Sequence, residues 1–169
     1  SLVFSGVATP KHSLIMELFF KQDAATRFLS TKYFSRSQTL NRLLDSLVAD
    51  KKKLWIRMDS LNTLSTIAQK VPQATYIYPY ASIRERYALL RGMQWNAMED
   101  SLYFEYRKFL SFGDTDLAYF DPYVNYVLNF ISVEAQDRSL SYFQQKSTTD
   151  YNIRRLEVLD RNIKGVLLR

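Results

Sequence analysis

The 169-residue sequence has no cysteine, one histidine, four glycines and four prolines. Without cysteine the chain holds no disulfide, thiol nucleophile or thiolate metal site. Zinc would need further His or Cys ligands beside His12. A nucleophilic triad would also have to use His12, which stands beside a strand-to-helix turn with no Gly-x-Ser-x-Gly context. A structural role is expected for it. No glycine-rich phosphate loop occurs, which argues against nucleotide binding. No run of about 18 apolar residues exists, so no membrane-spanning helix is expected. So few glycines and prolines disfavour a many-stranded sandwich or barrel, which needs turn residues every few positions. No metal and no cofactor is expected.

What remains is the composition of a helical globular domain. Hydrophobic residues make up 47% and charged residues 24%, values at which a chain folds rather than staying disordered. The length suits one ordinary domain. The net charge of +6 is ordinary for a soluble domain, and it points to nucleic acid only where the basic residues gather on one face. Lys51, Lys52 and Lys53 form the one like-charged run. On a helix they point in different directions, with the Lys51 stem lying along apolar surface and its ammonium in water.

Along the chain, "SLVFSGVATPKH" reads as a short strand, Leu2 to Val7, ended by Pro10. From Ser13 the period is helical, with Leu14, Leu18, Ala25, Phe28 and Leu29 near one face. Leu40, Leu44, Leu47, Leu54, Met58 and Leu61 then mark the seam of one long helix. Ser35 or Ser37 caps it and Val71-Pro72 ends it; at about 31 residues and about 45 Å it invites a kink or break. "NAMEDSLYFEYRKFLSF" is a shorter helix closed by Gly113. Asp121 as N-cap and Pro122 at the first helical position start another, with an apolar face at Val124, Leu128 and Ile131. The last helix runs from about Thr149 with a seam at Ile153, Leu156, Leu159 or Asp160, Ile163, Val166 and Leu167. The expected fold is all-α: an irregular bundle of about five to seven helices in one domain spanning residues 11–169. Residues 1–10 form at most a short strand or the remnant of a preceding domain.

The segment "TYIYPYASIRERYALLR", Thr75 to Arg91, mixes tyrosine with arginine as a single-strand nucleic-acid surface would. On a helix, however, Tyr76, Tyr80, Ile83, Tyr87 and Leu90 make one stripe. Arg84, Glu85, Arg86 and Arg91 lie off it, and Glu85 offers the positive charges a local partner. This is a core face, kinked or divided at Pro79. The acidic pairs Glu99/Asp100 and Asp114/Asp116 are placed as caps and solubilising charges, because "GDTDLAYFD" lacks the ladder and terminal Glu of a calcium loop.

Taken in order, "VFSGVATPKHSLIMELFF", "YFSRSQTLNRLLDSLVADKKKLW", an aromatic helix, "SLYFEYRKFLSF", "FDPYVNYVLNFI" and "NIRRLEVLDRNIKGVLLR" resemble the helical region that precedes the thioredoxin domain in exported TlpA-like thiol–disulfide oxidoreductases of Bacteroides-type bacteria. In that family the chemistry belongs to a Cys-x-x-Cys pair on the thioredoxin domain, so no catalytic residue carries over to this cysteine-free chain. The resemblance implies a periplasmic or outer-membrane-anchored parent. This part would act as a non-catalytic spacer, dimerisation surface or platform for a protein partner, either the thioredoxin domain or a client. The unpaired first strand and the uncapped ending "VLLR" are what a piece of such a parent would show. Two other expectations stand beside it. A basic nucleic-acid-binding module would use Lys51 to Lys53, Arg84, Arg86, Arg154, Arg155 and Arg161, and a carboxylate enzyme would use Glu99, Asp100 and Glu105.

Overall fold

A computed structural model of the chain describes residues 9–30, 37–59, 66–91, 101–137, 140–146 and 148–167. Among them the fold is all-α. The helices are α1 (Thr9–Ser30), α2 (Ser37–Asp59), α3 (Thr66–Arg91), α4 (Asp121–Glu134), α5 (Tyr142–Gln145) and α6 (Thr149–Leu167). The expected strand Leu2–Val7 and the proposed cap Ser35 lie outside the described residues. α1 begins earlier than its apolar period suggests, because Pro10 fits the first turn, where its missing N–H has no partner to lose.

The long helix expected from Ser35 or Ser37 to Val71, with a kink or break, is described as α2 and α3, and residues 60–65 between them lie outside the described residues. Val71 and Pro72 lie inside α3, and the helix runs on through Pro79. Each proline removes one i→i−4 bond and crowds a carbonyl. Thr75 Oγ1 donates to the Pro72 carbonyl at 2.5 Å, one more bond within that turn. Ala74, Tyr76, Tyr78, Tyr80 and Ala81 are all buried, and at about 1.5–3 kcal/mol for a large apolar side chain such burial outweighs two lost bonds.

The chain groups into two compact units, Ser1–Ile77 and Tyr78–Arg169, with the division inside α3. In the first, Leu18 of α1, Leu54 and Trp55 of α2, and Tyr76 of α3 form the core, flanked by Leu14, Ile15, Val48 and Ile77. The α2 seam explains this: Leu40, Leu44 and Leu54 are buried. Lys51 departs from expectation, since it is only 2% exposed on that same face.

In the second unit, the segment after α3 is helical at 101–103 and tightens to a 3-10 helix over Phe104–Phe109. Leu110 is extended and Gly113 takes φ 80°. Only glycine occupies that region without a Cβ clash. Gly113→Ala is therefore expected to cost about 1–2 kcal/mol, read as a lowered denaturation midpoint with unchanged slope. Asp114 next accepts from the Asp116 amide at 3.1 Å, capping a 3-10 turn over Thr115–Leu117. Its own amide donates to the Tyr123 hydroxyl at 2.8 Å.

The residue flanking the start of α4 is Phe120, extended and without a side-chain cap, while Asp121 and Pro122 are the first helical residues. Asp121 thus acts through its charge at the positive helix end rather than as a cap. Contacts Tyr78–Tyr123, Ser82–Asn129 and Leu89–Gln136 advance together, so α4 runs in the same direction as the second half of α3. Its buried residues are Tyr123, Tyr126, Ile131 and Ser132, and Leu128 is exposed rather than part of the apolar face. Ser141 and Gln144 form a reciprocal capping box on α5, the Ser141 amide donating to Gln144 Oε1 and the Gln144 amide to Ser141 Oγ. Thr148 Oγ1 accepts from the Tyr151 amide and caps α6.

Helix α6 packs on α4 through Tyr151, Val158 and Leu159 against Ile131 and Ala135. The expected seam is met at Leu159, while its first members Ile153 and Leu156 are exposed. Tyr151 donates to the Ser132 carbonyl at 3.0 Å and Arg154 Nε to the Ala135 carbonyl at 2.9 Å. These polar anchors, invisible in an apolar pattern, select the face that turns inward.

Candidate functional site

The aromatic and basic segment of α3 is interior. Tyr76, Tyr78 and Tyr80 are buried, and so are Arg84 and Glu85. Burial pushes the Tyr76 and Tyr80 phenols up from their ordinary range. The core face is wider than the Tyr76–Leu90 stripe, and Leu90 itself is exposed. Glu85 reaches off its own helix for a two-pronged pairing.

Its partner is Arg107, on the 3-10 helix. Glu85 is fully buried, and the Arg107 side chain is 17% exposed. Arg107 Nε donates to Glu85 Oε1 at 2.7 Å and Nη2 to Oε2 at 2.6 Å, a two-pronged pairing. The Tyr106 hydroxyl donates to the same Oε1 at 2.7 Å. The guanidinium carbon lies 3.9 Å from the Phe104 ring centroid and 4.6 Å from that of Phe130, so aromatic faces hold it. Nη1 donates to Glu134 Oε1 at 2.5 Å. Burial alone would lower the Arg107 pKa, but the hydrogen bonds and charge of Glu85 outweigh it and hold the group above its ordinary range. Tyr106 is raised well above the usual phenol range by burial, reinforced by the Glu85 charge. Arg84 lies 4.7 Å over the Tyr106 ring. The Tyr103 hydroxyl donates to the Arg84 carbonyl at 2.9 Å, and burial raises its pKa also.

Chemically this centre is a fixed cation between two carboxylates. It offers orientation and charge rather than a proton donor or acceptor near neutral pH. The short 3-10 pitch puts Phe104 and Arg107 at i, i+3, one above the other. That juxtaposition is the local signal for the stacked pair, and a plain α-helical reading of "YFEYRKF" misses it.

The other sequence candidates do not assemble around it. Glu99 and Asp100 lie outside the described residues, and Glu105 makes a surface pair with Lys108 at 3.1 Å. Asp114 and Asp116 form a cap, as expected. Among the described residues no group of three His, Cys, Asp or Glu side chains is placed to hold a metal ion, and no helix is long and apolar enough to cross a membrane. Of the basic residues, Lys51 and Arg84 are buried. Lys53 lies 3.6 Å from Asp50, Arg154 holds a backbone carbonyl, and Arg155 lies over the Tyr151 ring. Lys52, Arg86 and Arg161 are exposed, Arg161 Nε donating to the Glu157 carbonyl at 3.4 Å.

The fold and this centre define an all-α protein with a stacked, carboxylate-bound arginine in its second unit. Comparison of the chain with protein-family models, curated proteins and solved structures found no match.

Proposed function

We propose that the chain is a non-catalytic helical interaction domain of an exported thiol–disulfide protein, located in the periplasm or on the outer membrane. Its partner would be the thioredoxin domain of the same parent or a client protein. The observation that carries the interaction role is the contrast within the second unit. Its best-built polar centre is locked by mutual hydrogen bonds, while large apolar side chains stand outside: Phe109 is 83% exposed, Tyr119 100%, and Ile153 and Leu156 share an exposed face of α6. Such side chains gain by covering, and neighbours on one helix face offer a partner more than scattered ones do. The redox parent rests on the resemblance in element order.

Extending the reading frame past the codon for Arg169 tests the parent. A frame that continues to a Cys-x-x-Cys in a strand–helix context is the expected result. A stop codon directly after Arg169 would remove the thioredoxin parent. A labelled single strand titrated at low salt tests the nucleic-acid reading separately, since phosphate contacts give affinity that falls steeply with salt. With Lys51 and Arg84 buried, no such binding is expected.

A further inference from the structure

We propose that the outward edge of Arg107 is a receptor for a carboxylate carried by a protein or peptide partner, with Glu134 as its built-in occupant. The proposal rests on reading the chain as an interaction domain, and it names the chemistry that the domain would recognise.

A guanidinium has five N–H donors. Glu85 takes one from Nε and one from Nη2, and Glu134 takes one from Nη1. One N–H on Nη1 and one on Nη2 are left, and together these nitrogens form the end-on edge that a carboxylate engages with both oxygens. The edge cannot swing away. Glu85 fixes the plane of the group from the buried side, and Phe104 and Phe130 lie against it. Such a preset fork loses little freedom on meeting an anion.

Glu134 is a weak occupant. Its side chain is 42% exposed and it binds through one oxygen. It is also the last residue of α4, where the negative helix end disfavours an anion. The resident group is itself a carboxylate, so a carboxylate is the ligand the edge is shaped to hold. The source is a free chain terminus or an Asp or Glu side chain. Because partly exposed ion pairs are weak, Glu134 is expected to hold back such a ligand by no more than about fivefold.

The test is an NMR titration of the isotope-labelled full chain, following the Arg107 Nε–H signal. The probes are N-acetyl-phenylalanine, N-acetyl-aspartic acid amide and, as a carboxylate-free control, N-acetyl-phenylalanine amide. The two carboxylates are expected to shift the signal saturably and the control is not. Whichever carboxylate binds more tightly identifies the source. Glu134→Gln, a surface change that preserves the fold, is expected to tighten binding about threefold to fivefold. Equal response to acid and amide, no tightening in Glu134→Gln, or a response to inorganic phosphate but to neither carboxylate would overturn the proposal. Shifts confined to residues around Phe109 or Leu156, with Arg107 unmoved, would overturn the carboxylate site while leaving the interaction-domain reading in place.

Discussion

Replacing Arg107 by methionine is expected to lower the unfolding free energy by about 3–5 kcal/mol, the usual cost of stranding one member of a buried ion pair. Glu85 is fully buried and accepts three hydrogen bonds, two from Arg107 and one from Tyr106. Removing the cation leaves a carboxylate with one phenol donor in a site that water does not reach. Loss of stacking on Phe104 and Phe130 adds to the effect. Against a total stability of about 5–15 kcal/mol for a domain, the change is large. Two comparisons separate this mechanism from simple loss of volume. Glu134→Gln removes only the partly exposed partner and is expected to cost less than about 1 kcal/mol. The double replacement Glu85→Leu with Arg107→Met removes both charges and is expected to recover most of the loss. Denaturant titration of the unmodified chain, Arg107→Met, Glu85→Leu and the double replacement measures the coupling. If Arg107→Met falls within 1 kcal/mol of the unmodified chain, Glu85 does not depend on Arg107.

The same residues show what a sequence can and cannot announce. Leu18, Leu40, Leu44 and Leu54 are buried where helical periodicity puts them, because apolar spacing and helix geometry are the same information. Gly113 is visible in part for a comparable reason: it adopts a positive φ that other residues avoid, although the helix before it closes at Leu110 rather than at the glycine. Glu85 and Arg107 are not visible. They are 22 residues apart, and local charge patterning pairs Glu85 with the arginines beside it. Only the tertiary fold brings the guanidinium to it. The α6 face is misread in part for a related cause: Leu159 packs where the seam put it, but Ile153 and Leu156 are as apolar as Val158, and the hydrogen bonds of Tyr151 and Arg154 to α4 carbonyls favour Val158 on the inward face. The prolines mislead in the opposite sense. Pro72 and Pro79 carry the local chemistry of a break, but the burial of the residues around them sustains the helix. In each case the error arises where a long-range term exceeds the local one, which is also where the arginine centre is built.

Replacing Lys51 by methionine should have the opposite sign and stabilise the protein by about 2–3 kcal/mol at neutral pH. Lys51 occupies the buried face of α2 between Leu47 and Leu54, within one turn of Val48 and Trp55 of the first core. Burial pulls its pKa from 10.5 to about 8; Asp50 opposes the shift and Lys21 adds to it. Below about pH 8 the lysine is charged in both the folded and unfolded chains, and the folded state bears the net cost of the lowered pKa, the attraction to Asp50 already included. Between about pH 8 and 10.5 the folded chain releases its proton while the unfolded chain keeps it, so the unfolded state binds more protons and stability rises with pH. The phenols of Tyr103, Tyr106 and Tyr126, raised by burial, act in reverse above about pH 10: the unfolded chain ionises first and stability falls. Subtracting the Lys51→Met stability curve from that of the unmodified chain cancels these phenol contributions and leaves the lysine alone. The difference is expected to be constant below pH 8 and to shrink towards zero by about pH 10.5. Lys52→Met, one residue along but exposed, should leave stability nearly unchanged and controls for the added hydrophobic side chain. A Lys51→Met protein less stable than the original, or a difference that does not vary with pH, would mean that the buried ammonium is compensated in the fold, and that this polar position in the leucine seam contributes to holding α2 in place.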